Sequence, residues 1–505
     1  MPYASLGEFL SFLENKNELI RVSAKVSPEL EITEIQTRLL AQGGPAVLFE
    51  NVVGPNGPFE MPVLANLFGT KNRVAWGMGK EPQELRQLGE ALALMRHPEP
   101  PDGWKKAAEM LPLLKAAMTM KPRVLRHGPI HEKIITGKDV DLSTLPVQTC
   151  WPNEPAPLIT WPLVVTSTDP GTPAEKFNLG IYRMQVIGKN QTLMRWLKHR
   201  GGAQHFREWS RKESAPLPAA VVIGADPATI LAAVAPIPDT MSEYQFAGLL
   251  RGKRTELVEC QSVPLKVPST AEIVLEGHVS LEDFRDEGPF GDHTGYYNSI
   301  EKFPVFTVST ITTRQKPVYL STFTGRPPDE PSILGEALNE LFVPLMVQQF
   351  PEIVDFWLPP EGCSYRIAVV SIKKSYAGQA KRVMMGVWSF LRQFLYTKMV
   401  VIVDDDINVK DWKDVMWAIS TRMDPVRDTT LLENTPIDYL DFASPESGLG
   451  GKMGLDATNK MSPETNREWG TKIIMEKNTI DKVNKRWAEY GLPGEGKSIW
   501  ESDAN

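Results

Sequence analysis

Cysteine is nearly absent from this chain. Cys150, Cys260 and Cys363 are the only 3 in 505 residues, an odd number without paired spacing, which excludes a disulfide framework and a cysteine-type zinc site. No uncharged apolar run approaches the ~20 residues of a membrane span; the nearest, Ala219–Pro238, is broken by Asp226, Pro227 and Pro236. Positive charge is not in surplus: the formal net charge of −7 gives no footing to a polyanion such as nucleic acid. The opening residues show no basic region before an apolar run, so no secretory signal is expected. No Gly-x-Ser-x-Gly elbow and no His-Glu-x-x-His helix occurs, which removes the serine hydrolase and zincin readings. Gly448-Leu-Gly-Gly-Lys-Met-Gly454 is neither a dinucleotide fingerprint nor a P-loop, because its third glycine is misplaced and Lys452 lacks a following Ser or Thr. It reads as a flexible loop. What remains is a soluble cytosolic protein of a reducing compartment, with length for two to four domains.

Ser5-Leu-Gly-Glu8 forms a capping box ahead of Leu6, Phe9, Leu10 and Leu13 at helical spacing. A strand over Glu18–Val22, a helix over Leu30–Ala41 and a strand over Ala46–Glu50 follow, predicting an α/β domain over residues 1–110. Residues 111–126 read as a Pro-, Lys- and Met-rich connector. From 127 to 329 the texture is of short strands divided by Gly, Pro and Asp turns (Ile159–Thr166, Leu179–Ile187, Glu272–Glu276, Val305–Thr313), as a barrel or sandwich requires. Ala219–Ala228 reads as a strand entering a helix capped by Asp226 with Pro227 at its first position. Residues 330–460 alternate helix and strand again, as a second α/β domain. The chain becomes irregular after Asp428, and residues 461–505 form a tail with a helix near Asn478–Tyr490.

The chemistry concentrates in three places. Glu287-Gly-Pro-Phe-Gly-Asp292 places two glycines and a proline between two acids, so the segment must be a tight loop able to bring both carboxyls to one point. Paired carboxyls are what proton transfer needs, one protonated and one ionised. Asn178-Leu-Gly-Ile-Tyr-Arg183 puts an amide and an arginine on opposite parities of an ideal strand; a bulge at Gly180 would bring them to one side. Met194-Arg-Trp-Leu-Lys-His-Arg-Gly-Gly202 is dense in cations, and Arg195 and Arg200 suit a phosphate. Glu243, with Asn178 and His199, would make an oxygen and nitrogen site for Mn²⁺ or Mg²⁺.

These segments, with Pro238-Asp-Thr-Met-Ser-Glu-Tyr244, Glu287–Tyr297, Thr324-Gly-Arg-Pro-Pro-Asp-Glu330 and Asp404-Asp-Asp-Ile407, together resemble the UbiD family of prenylated-flavin-dependent decarboxylases. The tail segments Ile437–Pro445 and Lys452–Thr458 resemble its ubiquinone-pathway branch, which acts on 4-hydroxy-3-polyprenylbenzoate. The resemblance implies a central flavin-reductase-like split β-barrel flanked by N-terminal and C-terminal α/β domains, the latter carrying the contacts of a homo-oligomer, dimer or hexamer. It implies prenylated FMN as cofactor, with a divalent metal, Mn²⁺, held by Asn178, His199 and Glu243, and K⁺ as a further cation. Ile181, Tyr182, Arg183, Arg195, Trp196, Leu197, Arg200, Gly201 and Lys398 match cofactor-binding positions. A flavin prenyltransferase is the implied supplier of the cofactor, and contact with the cytoplasmic face of a membrane would follow from a polyprenyl substrate.

On this resemblance Arg183 takes the substrate carboxylate, Glu287 holds Arg183, and Asp292 donates the proton, its pKa raised by a neighbouring acid and the flavin phosphate. A polyprenyl tail would need an apolar groove, for which Leu338–Val347 and Ile437–Phe442 are candidates. Two alternatives stay open: a decarboxylase of an unprenylated aromatic or heteroaromatic acid, and a flavin-binding protein without turnover.

Overall fold

Ser5 accepts a hydrogen bond from the Glu8 N–H at 3.2 Å, and the helix it starts, Leu6–Asn15, buries Leu6, Phe9, Leu10 and Leu13 on one stripe. That agreement between cap and periodicity is typical of the local elements. The computed structural model describes residues 3–96, 118–169, 171–197, 200–235, 237, 241–390, 392–494, 496–498 and 500. The chain forms two units, Met1–Leu345 and Met346–Asn505. Among the described residues, no helix is long and apolar enough to cross a membrane.

The first unit holds a small mixed sheet in which Leu19–Val26 runs parallel to Ala46–Gly54, Val63–Ala65 follows, and the distant strand Tyr319–Leu320 completes the edge. Its main feature is a nine-stranded sheet whose pairings are all antiparallel. The order runs Leu158–Ile159, Met184–Gly188, Gln191–Met194, Glu301–Thr313, Ile273–Glu287, Leu217–Ile223, Pro162–Thr166, Asn178–Ile181, with Lys133–Thr136 also on Glu301–Thr313.

This order forces curvature. Asn178–Ile181 is one edge, and Met184–Gly188 is the second strand from the other edge. In a flat sheet they would lie about 29 Å apart, yet only Tyr182 and Arg183 join them, a link that spans at most roughly 11 Å. Thr160 and Trp161 stitch the same two margins again, between Leu158–Ile159 and Pro162–Thr166. The sheet therefore curls until its margins approach, and Arg183 sits on the seam. Core side chains fill both faces: Val164, Ala219, Val221, Leu275 and Val308 on one side, and Leu163, Val165, Ala220, Val222 and Val274 on the other.

The second unit carries a five-stranded sheet in the order Ile353–Trp357, Ile367–Ile372, Met399–Asp404, Leu449–Ala457, Thr429–Pro436, parallel across its middle three strands. The helices Gln379–Phe390 and Trp412–Arg422 pack on it.

Three expectations are corrected. The segment after Asp428 is not irregular: Thr429–Pro436 and Leu449–Ala457 pair as a hairpin in that sheet. The glycine-rich segment is thus a strand rather than a flexible loop. Gly454 is required by close packing, since a Cβ there would lie 2.5 Å from Met384 Sδ. The strand expected at Glu272–Glu276 extends over Ile273–Glu287, with register shifts between Glu276 and Gly277 and between Val279 and Phe284. Glu287 consequently ends a strand, opposite Glu301, and the turn begins only at Gly288, whose φ of +90° suits glycine.

Candidate active site

Arg183 leaves the seam of the curled sheet and meets both acids. Its Nε donates to Glu287 Oε1 at 2.9 Å and its Nη2 to Glu287 Oε2 at 3.3 Å, a fork-on-fork pair. Its Nη1 donates to Asp292 Oδ2 at 2.9 Å. The Arg195 guanidinium stands behind, 3.9 Å from Glu287 Oε2 and 3.8 Å from Asp292 Oδ2. The Glu287 side chain is 0% exposed, Arg195 7%, Asp292 10% and Arg183 13%, so the cluster is nearly dry. Two cations and two anions balance, which is how such a buried set persists.

Arg183 reaches the acids without the expected bulge. Asn178–Ile181 pairs with Leu163–Thr166 in unbroken register, Gly180 opposite Val164, which overturns a bulge at Gly180. The strand instead stops at Ile181, and Tyr182 and Arg183 lie between strands. Gly180 serves Tyr182, since a Cβ at 180 would lie 2.5 Å from the Tyr182 hydroxyl. That hydroxyl accepts the Gly202 N–H at 3.0 Å, and the Tyr182 ring meets Trp196 edge-on at 6.4 Å.

The turn after Glu287 is held from outside. Gln185 Oε1 accepts the Gly288 N–H at 2.9 Å, Asn298 Oδ1 the Phe290 N–H at 2.7 Å, and Glu154 Oε1 the Gly291 N–H at 3.3 Å. A Cβ at Gly291 would strike Trp151, whose indole N–H donates to Thr324 O at 2.9 Å. Phe290 lies under the Arg183 guanidinium at 5.4 Å, and Phe303 under Arg195 at 5.6 Å. Asp292 Oδ1, the oxygen turned away from Arg183, accepts from the His293 N–H at 2.9 Å and lies 2.8 Å from His293 Nδ1.

The expected raised pKa of Asp292 is overturned. Burial pushes its carboxyl up, but the His293 hydrogen bond and the charges of Arg183, His293 and Arg195 outweigh burial and hold it well below the ordinary range. The expectation counted the neighbouring acid and a flavin phosphate and left out the pull of Arg183, Arg195 and His293 on Asp292. Glu154 is shifted upward, chiefly by burial.

The remaining expected site residues assemble around the turn from Gln191–Met194 into the helix Gly201–Lys212. Arg200 is its N-cap residue, and Gly201 and Gly202 are its first two positions. A Cβ at Gly201 would fall 2.1 Å from Asn178 Oδ1, and one at Gly202 2.4 Å from Trp196 Nε1. This bare start of a twelve-residue helix, with Arg200 as its N-cap residue, suits a phosphate. Ile181 is half-buried and Leu197 packs on the Leu193, Phe303 and Val305 cluster.

Glu243, the first residue of the helix Glu243–Arg251, accepts the Leu179 N–H at 3.1 Å and so lies beside Asn178. Burial pushes its carboxyl up to about 7, and only backbone N–H groups oppose that shift. A buried carboxyl with no basic side chain among its charge partners in the described residues, next to an amide, fits a hard divalent cation. Among the described residues no group of three His, Cys, Asp or Glu side chains is placed to hold a metal ion; the expected set includes an asparagine, and His199 lies outside the described residues. Lys398 belongs to the second unit, where its ammonium is held by Asp441 at 2.9 and 3.2 Å. Of the stretches considered for a tail groove, Leu338, Leu341, Val343 and Leu345 are core, as are Ile437 and Leu440; Phe442 is exposed.

Sequence reasoning missed Glu154, Gln185, His293 and Asn298. His293 stood in the quoted motif, and its contact with Asp292 is local; the others come from 8 to 137 positions away and left no local signal.

A curled antiparallel sheet thus holds an arginine between two buried acids, an arrangement suited to binding a carboxylate and moving a proton, and the comparisons give the class of protein. The 3-octaprenyl-4-hydroxybenzoate carboxy-lyase family models match residues 10–92 (N-terminal domain), 123–327 (Rift-related domain) and 332–457 (C-terminal domain). The chain belongs to the UbiD family, whose members are carboxy-lyases. Its fold matches the UbiD-class enzyme HmfF from Pelotomaculum thermopropionicum in complex with FMN at 30% identity, covering 96% of this chain and 100% of that one, with a TM-score of 0.79. The closed form of vanillic acid decarboxylase from Sedimentibacter hydroxybenzoicus matches at 26% identity over 98% and 100%, with a TM-score of 0.81. An evolved dimeric form of HmfF with prFMN matches at 29% identity over 97% and 100%, with a TM-score of 0.76.

Proposed function

We propose that the protein removes CO₂, without oxidation, from a 4-hydroxybenzoate substituted at C3, using prenylated FMN. The specific form we propose is 4-hydroxy-3-polyprenylbenzoate, converted to 2-polyprenylphenol in ubiquinone biosynthesis. The observation that carries this is Arg183 clamped between Glu287 and Asp292 in a nearly dry site. The family name supports a 3-prenylated 4-hydroxybenzoate, and vanillic acid is also a 4-hydroxybenzoate with a C3 substituent.

Prenylated FMN, when bound, supplies the electron sink that an aryl carbanion lacks. The chain's own residues do the rest. Glu287 holds the Nε and Nη2 edge of Arg183, which aims Nη1 at Asp292. A substrate carboxylate takes Nη1 from Asp292. Asp292 then loses a cationic neighbour that kept it ionised, and burial favours its protonated form. Docking the acid thus loads the proton donor, which delivers its proton to the ring carbon that lost CO₂. The Gly201–Lys212 helix start with Arg200 would receive the cofactor phosphate, Asn178, Glu243 and His199 would hold Mn²⁺, and Ile181, Tyr182, Trp196 and Leu197 would line the cofactor.

A second reading, an unprenylated acid, is favoured by one observation: Leu338, Leu341, Val343 and Leu345, candidates for lining a tail groove, are buried in the core. The test co-expresses the protein with a flavin prenyltransferase, adds Mn²⁺, and offers 3-prenyl-4-hydroxybenzoate, vanillate and 4-hydroxybenzoate together, with products read by mass spectrometry. Preferred loss of the prenylated acid supports the first reading, and turnover of only the others supports the second. Turnover of none, with cofactor bound, overturns both.

A further inference from the structure

The reaction consumes one proton per turnover (an aryl carboxylate and a proton give an arene and CO₂), so the donor must be recharged from solvent each cycle. Asp292 is only 10% exposed, so a more exposed neighbour offers the shorter route for that proton. Its Oδ2 faces Arg183 and Arg195, guanidinium groups that never release a proton under working conditions. Glu287 is wholly buried on Arg183. The remaining neighbour is His293, which meets the other oxygen, Oδ1, through Nδ1 at 2.8 Å and is 20% exposed. Histidine is also the side chain that titrates near neutrality.

We propose that His293 is a proton relay acting through Asp292. The imidazolium gives its Nδ1 proton to Asp292 Oδ1 and becomes neutral; Asp292 passes a proton to the ring carbon and returns to carboxylate; the imidazole takes a new proton from water. Among the charged groups around His293, Asp292 pairs with it directly, Arg183 and Arg195 lie on the other oxygen of Asp292, and the buried Asp329 senses its charge.

This inference rests on Asp292 being the proton donor, so the experiment tests the two separately. In holoenzyme, His293→Asn keeps a side-chain donor near Oδ1 but cannot relay, whereas His293→Ala leaves space for added imidazole. The relay predicts a fall in kcat of at least tenfold for both with KM nearly unchanged. It also predicts loss of the wild-type pH dependence of kcat near neutrality, and recovery of His293→Ala, but not His293→Asn, with imidazole. Full kcat in His293→Asn, or His293→Ala unmoved by imidazole, overturns the relay and leaves His293 a positioning residue. A parallel Asp292→Asn variant that keeps turnover overturns the donor assignment itself. A cofactor-free readout is the ring titration of His293 by NMR. Asp292→Asn should lower its midpoint by about one pH unit or more, and no change would show that the pair is not coupled.

Discussion

Arg183→Met keeps the length of the side chain and removes the guanidinium that three hydrogen bonds tie to Glu287 and Asp292. Glu287 then stays wholly buried, with Arg195 3.9 Å away as its nearest cation. Removing one partner of a buried pair costs about 3–5 kcal/mol, because the other charge is stranded. For a first unit spanning Met1–Leu345, that lowers the thermal midpoint by about 4–7 °C. The sign with pH follows from Asp292. Its carboxyl is held below the ordinary range, so its pairing stabilises the fold above the unfolded pKa of about 3.9 and is lost as pH falls through the lower folded value. The variant loses the Arg183 share of that contribution, while His293 and Arg195 remain on Asp292, and the carboxyls left without the guanidinium take up protons more readily. The gap to wild type is therefore widest at neutral pH and narrows toward about pH 4–5. Urea and thermal unfolding of the cofactor-free protein, followed by tryptophan fluorescence between pH 7 and 5, measures it. Adding Glu287→Gln to Arg183→Met should recover about half of the loss or more, since the stranded charge is gone. A deficit under about 1 kcal/mol at pH 7, or one that does not shrink with acid, would refute the account.

Other variants test the surroundings. Gly201→Ala forces a Cβ to within 2.1 Å of Asn178 Oδ1, so Mn²⁺ affinity, read by electron paramagnetic resonance, should fall about 10–100-fold while the fold persists. Gly180→Ala pushes on the Tyr182 hydroxyl and should weaken the Gly202 contact, seen as lower flavin occupancy in absorbance; unchanged occupancy would mean that the Tyr182 ring is not needed there. In the second unit the buried Lys452 ammonium donates to Leu395 O, Thr397 O and Pro436 O. Lys452→Met should destabilise by about 1.5–3 kcal/mol, checked by urea titration.

The local chemistry of this protein was legible in its residues. Ser5 capped its helix, the Gly and Pro of 288–291 made a turn, and the set Arg183, Glu287, Asp292 with Asn178, Glu243 and Arg200 was singled out by type and order. The resemblance to UbiD decarboxylases rested on the same motifs and stands at the level of the family. Errors arose where the deciding contact was distant. The Gly448–Gly454 segment looked like a loop because glycine disfavours strands alone; the Met384 side chain and two neighbouring strands made it one. Gly180 looked like a bulge, and its neighbour two residues on explains it instead. Asp292 looked like a raised carboxyl until Arg195 and His293 were in place around it.

Residue type and short-range spacing set helix caps, turns and which groups carry charge, because those depend on a few bonds of chain. Which strand margins meet depends on a sheet curling through strands more than 100 residues apart in sequence, as Arg183 to Glu287 shows with a separation of 104. Only that closure placed the arginine between its acids, left them nearly dry, and lowered the proton affinity of Asp292.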